Sequence, residues 1–393
     1  MSKKPVVLVI CDYYLPGFES GGAVRTIANM VDRLGNRFDF RVVTRDHDGT
    51  AVREAYTTVT VGAWNQVGNA QVFYLPKNYF RAGMLKNLIN VTNADIVYLN
   101  SFFSRLTIQV LALLRLRRIE QKRIILAPEG EFSAGALSLR SLKKRSYISF
   151  ARRAFLLRTF IWKAASESER ADIVRVLGGD LIIEVAPNMP PRMIQPDYSP
   201  SSRLEKKAGR ARMVFLSRFA RKKNFNWLLK HLGVVKGTLS FDIWGTHEDP
   251  EYWAECRTIA ATLPPNVTIQ SKGPISHEMV AETLGKYDFF ILPTLGENFG
   301  HVFIEAFASG LPVITSDQTP WRNLQQKGIG WDISLEDTAE WNRVIEHCLA
   351  MDDTEHKQMS AASRDFANAW LSNSEIEKSN IEILEGAVHR NSA

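Results

Sequence analysis

Short apolar runs recur along this chain, each closed by a glycine or a polar turn and followed by apolar residues at helical spacing. Residues 5–11 open the series. They are apolar without alternation, the pattern of a strand covered on both faces, and an amphipathic helix over 23–34 follows. Further strands are predicted at 38–44, 95–99, 124–126 and 181–185, with helices at 106–119 and 167–178. The stretch 55–94 is only loosely periodic and predicts a strand or two and a helix near 81–91. A polar tract with Pro, Ser, Gly and the charged run 203–207 then breaks the pattern. It resumes at 213–216, 239–244, 266–270, 289–292 and 313–315, and Ser276 is placed to cap a helix reaching residue 284. Helices over 336–349, 355–371 and 374–387 end the chain. This alternation, twice over, predicts an α/β protein of two doubly wound, Rossmann-like domains, 1–195 and 212–370. A linker over 196–211 joins them, and a terminal helix occupies 371–393.

Residues 297–316, reading ENFGHVFIEAFASGLPVITS, concentrate the candidate chemistry. A buried strand stops at Pro293, a loop carries the chain to a helix beginning near Gly300, and Gly310 and Pro312 end that helix. Strand, loop and helix N-terminus form a ready anion site, because the first helical N–H groups lack partners and the helix dipole favours negative charge. Glu297 lies in the loop and Glu305 within the helix. A carboxylate beside an anion site does little for charge neutralisation, but it accepts hydrogen bonds from hydroxyls, which sugars and riboses carry densely. An acidic residue favourable at a helix start, plus a surface glutamate, would give the same pattern.

Other strand ends carry chemistry-bearing residues. Arg218, Arg221, Lys222 and Lys223 follow the strand at 213–216, as a phosphate grip or a solvated loop. Gly21 and Gly22 separate the first strand from its helix, which suits close backbone approach to a ligand and equally a simple turn. Asn100 ends the strand at 95–99, where it orients a hydroxyl or caps the next helix. Glu129 and Glu131 follow the strand at 124–126, on the usual ligand side of an open sheet, with a solvated loop as the plain alternative.

The run from Glu297 to Glu305, with Gly310-Leu311-Pro312-Val313-Ile314-Thr315-Ser316 and Thr319-Pro320-Trp321, resembles the E-x7-E region of the group 1, or family 4, retaining glycosyltransferases, whose fold is GT-B. The resemblance extends over essentially the whole chain, weakly before Asp95 and strongly from Arg218 to Trp321. It implies that Arg218 and Lys223 grip a donor diphosphate, that Glu297 holds the donor sugar, and that Glu305 holds the ribose. Those first three residues are the ones it assigns to catalysis. It further implies a donor site lined by Asn298, Phe299 and Gly300, bordered at the base by Gly245 and Ile275, with Gly21 and Gly22 facing an interdomain cleft. The first domain would take the acceptor, a glycan or a lipid-linked sugar, with Asn100, Glu129 and Glu131 as candidates. Many relatives have a histidine where Asn100 stands and an arginine where Glu129 stands; the first departure removes an imidazole, and the second suggests a different acceptor. The terminal helix is expected to cross back to the first domain. The expected reaction is transfer with retention and without a metal, since no DxD dyad stands where the other major glycosyltransferase fold has its metal site. No cofactor beyond the nucleotide-sugar donor is implied.

Charge changes the picture in one place. The net charge is +7, yet residues 132–166 hold eight basic residues and no acidic one, so the excess is local. Aromatic and aliphatic residues interleave with these cations, which fits a helix on an anionic membrane surface and equally a core-facing helix with a basic outer face. No nucleic-acid-reading module is visible. The three cysteines are far apart in sequence, as expected of buried thiols in a reducing compartment. The first apolar run is too short for a signal-peptide core and no stretch is long enough to span a bilayer, so a cytoplasmic protein, peripheral at the inner face of the plasma membrane, is expected. Two other readings stay open: a membrane-surface or polyanion binder without catalysis, and another GT-B chemistry such as a nucleotide-sugar epimerase or a phosphorylase.

Overall fold

The computed structural model describes residues 3–18, 21–49, 54–77, 82–120, 123–138, 141–154, 157–192, 205–247 and 249–389. Residues 196–204 of the expected linker, together with Arg81 and Arg140, lie outside the described residues. The chain forms two compact units, Met1–Arg192 with Asn373–Ala393, and Met193–Ser372.

The first unit is built on an eight-stranded sheet. Its strands are β1 (Val6–Ile10), β2 (Asp39–Arg45), β3 (Trp64–Val67), β4 (Ala70–Leu75), β5 (Ile96–Asn100), β6 (Arg123–Ala127), β7 (Ile161–Ala164) and β8 (Ile182–Val185). The order across the sheet is β3-β4-β2-β1-β5-β6-β7-β8. Among the described residues, only the β3–β4 hairpin is antiparallel. All five residues of β1 and of β5 are buried, which is why both read as unbroken apolar runs. Strand order reverses around β1, with β2 on one side and β5 on the other. In a doubly wound sheet such a reversal leaves a crevice at the carboxyl ends of the strands. The terminal helix Ser374–His389 belongs to this unit: Glu377 pairs with Arg33 at 3.1 Å, and the Asn380 amide donates to the Pro187 carbonyl at 2.9 Å.

The second unit has six parallel strands, β9 (Arg210–Leu216), β10 (Thr238–Trp244), β11 (Val267–Gly273), β12 (Phe289–Leu292), β13 (Val313–Ser316) and β14 (Gly330–Ile333). Their order is β11-β10-β9-β12-β13-β14, so this sheet reverses between β9 and β12. Gly245, after β10, has φ 139°, and a Cβ there would collide with the Ser217 carbonyl, so the junction admits only glycine.

Three expectations need correction. Arg210 and Ala211, expected in the linker, already pair within β9. Ser276 makes no side-chain cap bond; a 3-10 turn, His277–Met279, precedes the short helix Val280–Leu284. The basic stretch 132–166 is not one helix either. It comprises helices Ala134–Ser138 and Ser141–Ala154, a turn at Leu157–Thr159, and β7. Phe160, Ile161 and Trp162 are buried, and three large apolar residues in sequence satisfy a strand covered on both faces better than a helix stripe.

Candidate functional site

The reversal in the second sheet places two loops side by side, one leaving β9 and one leaving β12. Leu295 N–H donates to the Lys222 carbonyl at 2.8 Å and ties the loops together. Their side chains meet: Lys223 Nζ lies 2.5 Å from Glu297 Oε1, and both side chains are nearly buried. The Thr294 hydroxyl donates to the same carboxylate oxygen at 3.0 Å, and Glu297 N–H donates to the Gln318 carbonyl at 3.0 Å. The glutamate is thus fixed at both its backbone and its side chain.

Burial is the largest influence on each member of this pair. It lowers the Lys223 ammonium from its ordinary value, and the charges of Lys222 and Arg218 push the same way while Glu297 opposes them. Burial alone would raise Glu297, but Lys223, Lys222 and the hydrogen bonds outweigh it and hold the carboxyl below its usual range. Two cations, Lys223 and Lys222, therefore act on this carboxylate, and Arg218 adds its charge beside Lys223. Arg221 is engaged elsewhere, with Asp249 at 3.2 Å and Glu255 at 3.0 Å.

The helix His301–Ala308 begins beside this pair. Gly300 precedes it at φ 71° and ψ 73°, and no side chain caps the helix. A Cβ on Gly300 would meet the Phe303 ring at 2.6 Å, so the left-handed turn and the close packing both call for glycine. The Trp321 indole donates to the Phe299 carbonyl at 2.5 Å and packs among Phe299, Phe307 and Trp370. The tryptophan of the Thr319-Pro320-Trp321 run thus fixes the turn that aims the helix N-terminus. Glu305 is buried on the helix, with His277 Nδ1 at 3.6 Å. Gly245 N–H donates to the Gly273 carbonyl at 2.8 Å, and Ile275 is partly buried against the core.

The comparisons with known proteins agree with this construction. Residues 210–351 match the family model described as Glycosyl transferases group 1. That match falls within the second unit and is what this part of the chain is similar to. A search of solved structures finds the sucrose-phosphate synthase of Thermosynechococcus elongatus at TM-score 0.69 and 17% identity, covering 98% of this chain and 99% of that one. The Anabaena protein HepE, solved in complex with UDP-glucose, superposes at TM-score 0.69 and 14% identity, covering 97% of this chain and 99% of that one. At such identity these likenesses establish the fold, and that fold is GT-B. Among curated proteins, the chain is 26% identical over 179 residues to the GtfA subunit of a UDP-N-acetylglucosamine–peptide N-acetylglucosaminyltransferase of Streptococcus pneumoniae serotype 4. That match covers 42% of this chain and spans about a third, 34%, of the relative's length.

The first unit carries a second cluster at its own reversal. Asn100 does not cap the following helix; Ser104 does, accepting from Leu106 N–H and Thr107 N–H. The Asn100 amide instead donates to Glu129 Oε1 at 3.3 Å. Glu131 accepts from the Ser101 hydroxyl at 2.6 Å and from Phe102 N–H and Phe103 N–H at 2.6 and 3.1 Å. Burial raises its carboxyl to about 7 against these bonds and the nearby Lys144. Gly21 has φ 53° and starts the helix Gly22–Leu34. Sequence reasoning missed three members of this cluster, Lys163, Asn188 and Glu169. Lys163 is buried on β7 and donates to Asn188 Oδ1 at 2.9 Å. Glu169 accepts from Gly130 N–H at 2.5 Å and Ala165 N–H at 2.7 Å. The available signal was a lone lysine inside an apolar strand-length run, which is costly unless the ammonium is paired.

Proposed function

We propose that the protein transfers a glycosyl group from a nucleoside-diphosphate sugar to an acceptor hydroxyl, with retention at the anomeric carbon and without a metal ion. The observation that carries this reading is the buried Lys223–Glu297 pair under a surplus of positive charge, beside an uncapped helix N-terminus. The surplus suits the diphosphate, and the carboxylate suits sugar hydroxyls. The bond between the anomeric carbon and the phosphate oxygen breaks, and charge develops on the leaving diphosphate. Arg218, Lys223 and the N–H groups at Gly300 stabilise that charge where it forms. The acceptor oxygen bonds to the same face of the sugar, and its proton passes to the departing phosphate. Glu305 holds the ribose, with Gly245 and Ile275 beside the base. The UDP-glucose bound by HepE and the UDP-N-acetylglucosamine in the pneumococcal enzyme's name favour a uridine nucleotide. The test is transfer or hydrolysis of UDP-, GDP- and ADP-sugars with and without EDTA, with the product anomer read by NMR. Activity abolished by chelation and restored by manganese would sink metal independence, and an inverted product would sink retention.

A membrane-borne, lipid-linked acceptor is favoured by the helix Ser141–Ala154. Leu142 is 80% exposed and Phe150 59% exposed, on a face shared with the exposed Lys143, Arg145, Arg152 and Arg153. Not all of the local charge faces outward: Lys163 is buried, and Lys144 donates to the Ala136 carbonyl at 2.5 Å. No described helix is long and apolar enough to cross a membrane. Vesicles containing anionic phosphatidylglycerol should bind the protein at low salt, and the double change Leu142→Asp, Phe150→Asp should weaken binding about tenfold or more, as lost apolar burial on this scale implies. Equal partition to neutral and anionic vesicles would remove this part of the reading.

A further inference from the structure

The cluster in the first unit is built to a tolerance that its fold alone does not require. Two residues other than glycine adopt left-handed backbone at adjacent strand ends: Ser101 at φ 79° after β5, and Glu129 at φ 53° after β6. Each such conformation is strained for a residue with a side chain and persists only where the surroundings impose it. Here the surroundings are buried side chains. Glu169 holds Gly130 N–H, and Glu131 holds Ser101, Phe102 and Phe103, so each loop is tied by a carboxylate from another segment.

Between these loops runs a directed chain of hydrogen bonds. Lys163, 4% exposed, has only donors to offer, so the Asn188 amide must turn its oxygen toward it, at 2.9 Å. That leaves Asn188 Nδ2 facing the other way, where it donates to Glu129 Oε2 at 2.8 Å and to the Thr26 hydroxyl at 3.3 Å. Glu129 Oε1 accepts from Asn100 at 3.3 Å. The lysine therefore dictates the amide's orientation, and the amide dictates where the half-buried Glu129 carboxylate stands. Glu129 itself lies at the carboxyl end of the sheet, beside the strand-order reversal, on the side where doubly wound sheets take ligands.

We propose that Lys163, acting through Asn188, is a positioning residue that holds Glu129 as a hydroxyl-accepting group of the acceptor subsite, and that this subsite takes an uncharged sugar and rejects a phosphorylated one. The proposal rests on the glycosyltransferase reading above. Its chemistry follows from charge. The acid left to face a ligand is the half-buried Glu129: Glu131 and Glu169, both raised to about 7 by burial, are taken up by backbone N–H groups, and Lys163 and Lys144 already donate within the unit. A sugar hydroxyl can donate to Glu129, whereas an ionised phosphate set at the same place has no proton to give and meets the Glu129 charge.

The test measures transfer from the nucleotide sugar that the enzyme hydrolyses to octyl glycosides of the common hexoses and to the same hexoses carrying a 6-phosphate. Transfer to at least one octyl glycoside is expected, with kcat/KM at least tenfold above its phosphorylated counterpart. Lys163→Met and Glu129→Gln should each raise the acceptor KM about tenfold or more while leaving nucleotide affinity in the second unit within twofold. Asn188→Asp, which sets a carboxylate against Glu129, should do at least as much. If Lys163→Met fails to fold, Glu129→Gln decides. A preference for the phosphorylated sugars, an acceptor KM within twofold of wild type in Glu129→Gln, or no transfer to any neutral glycoside by an enzyme that hydrolyses its donor would each overturn the proposal. Failure of the wild-type protein to bind any nucleotide would instead defeat the glycosyltransferase reading beneath it.

Discussion

Both sheets are doubly wound and reverse their strand order, and they differ in what the loops at their carboxyl ends hold. In the second unit, the loops after β9 and β12 bring Lys222 and Lys223 to a single carboxylate, Glu297, with Arg218 beside Lys223. In the first, the loops after β5 and β6 gather Glu129, Glu131 and Glu169 with amides and a buried lysine. One architecture thus gathers mainly cations in one unit and mainly carboxyl groups and amides in the other. Fold alone does not assign a ligand to either. The difference in charge is what supports the proposal of a donor diphosphate in the second unit and an acceptor in the first.

The largest expected effect that would break this contrast comes from Lys223. Lys223→Ala removes a leaving-group contact and leaves Glu297 buried without its partner, so turnover should fall roughly 100- to 1000-fold. Steady-state kinetics on a variant shown to be folded would read it, and near-wild-type turnover would take Lys223 out of the donor site. Glu305→Gln should act more modestly. Losing a charge-assisted bond to the ribose costs about 1.5 kcal/mol or more, about tenfold in nucleotide affinity by calorimetry. An unchanged affinity would leave Glu305 as a buried helix residue paired with His277.

The smallest effect separates the units by pH. Burial, then the neighbouring Glu129, raises the Glu169 carboxyl to about 7, although the N–H groups of Ala165 and Gly130 and the charge of Lys163 oppose the shift. In an unfolded chain the same group titrates near about 4.3. Between those values the folded protein keeps a proton that the unfolded chain has lost, so this contribution to stability is full below about 4.3 and fades as pH rises through about 7. Glu297 has the opposite sign: held below its usual value, it stabilises above that value and loses its contribution only in acid. Glu169→Gln should therefore flatten the decline in melting temperature between about pH 5 and pH 7. An unaltered slope would mean that Glu169 does not hold its proton in the folded state.

Much of the fold was legible because strands covered on both faces leave unbroken apolar runs, as in β1, β5 and β12. The pairing of Lys223 with Glu297 was not, since nothing local links residues 74 apart in sequence. Spacing and resemblance placed each near the donor separately; only the adjacency of β9 and β12 joins them. Lys163 was hidden for a different reason. Amid a basic stretch it reads as surface charge, and only its place in β7 turns it inward. Trp321 was visible as part of a motif, but its hold on the Phe299 carbonyl needed the folded loop.

The most direct measurement is a calorimetric titration of the metal-free protein with UDP, GDP and ADP, repeated on Lys223→Ala. One nucleotide, UDP foremost, should bind saturably and weaken at least tenfold in the variant, in line with loss of a charge-assisted phosphate contact. A folded wild-type protein that binds none of the three would contradict this.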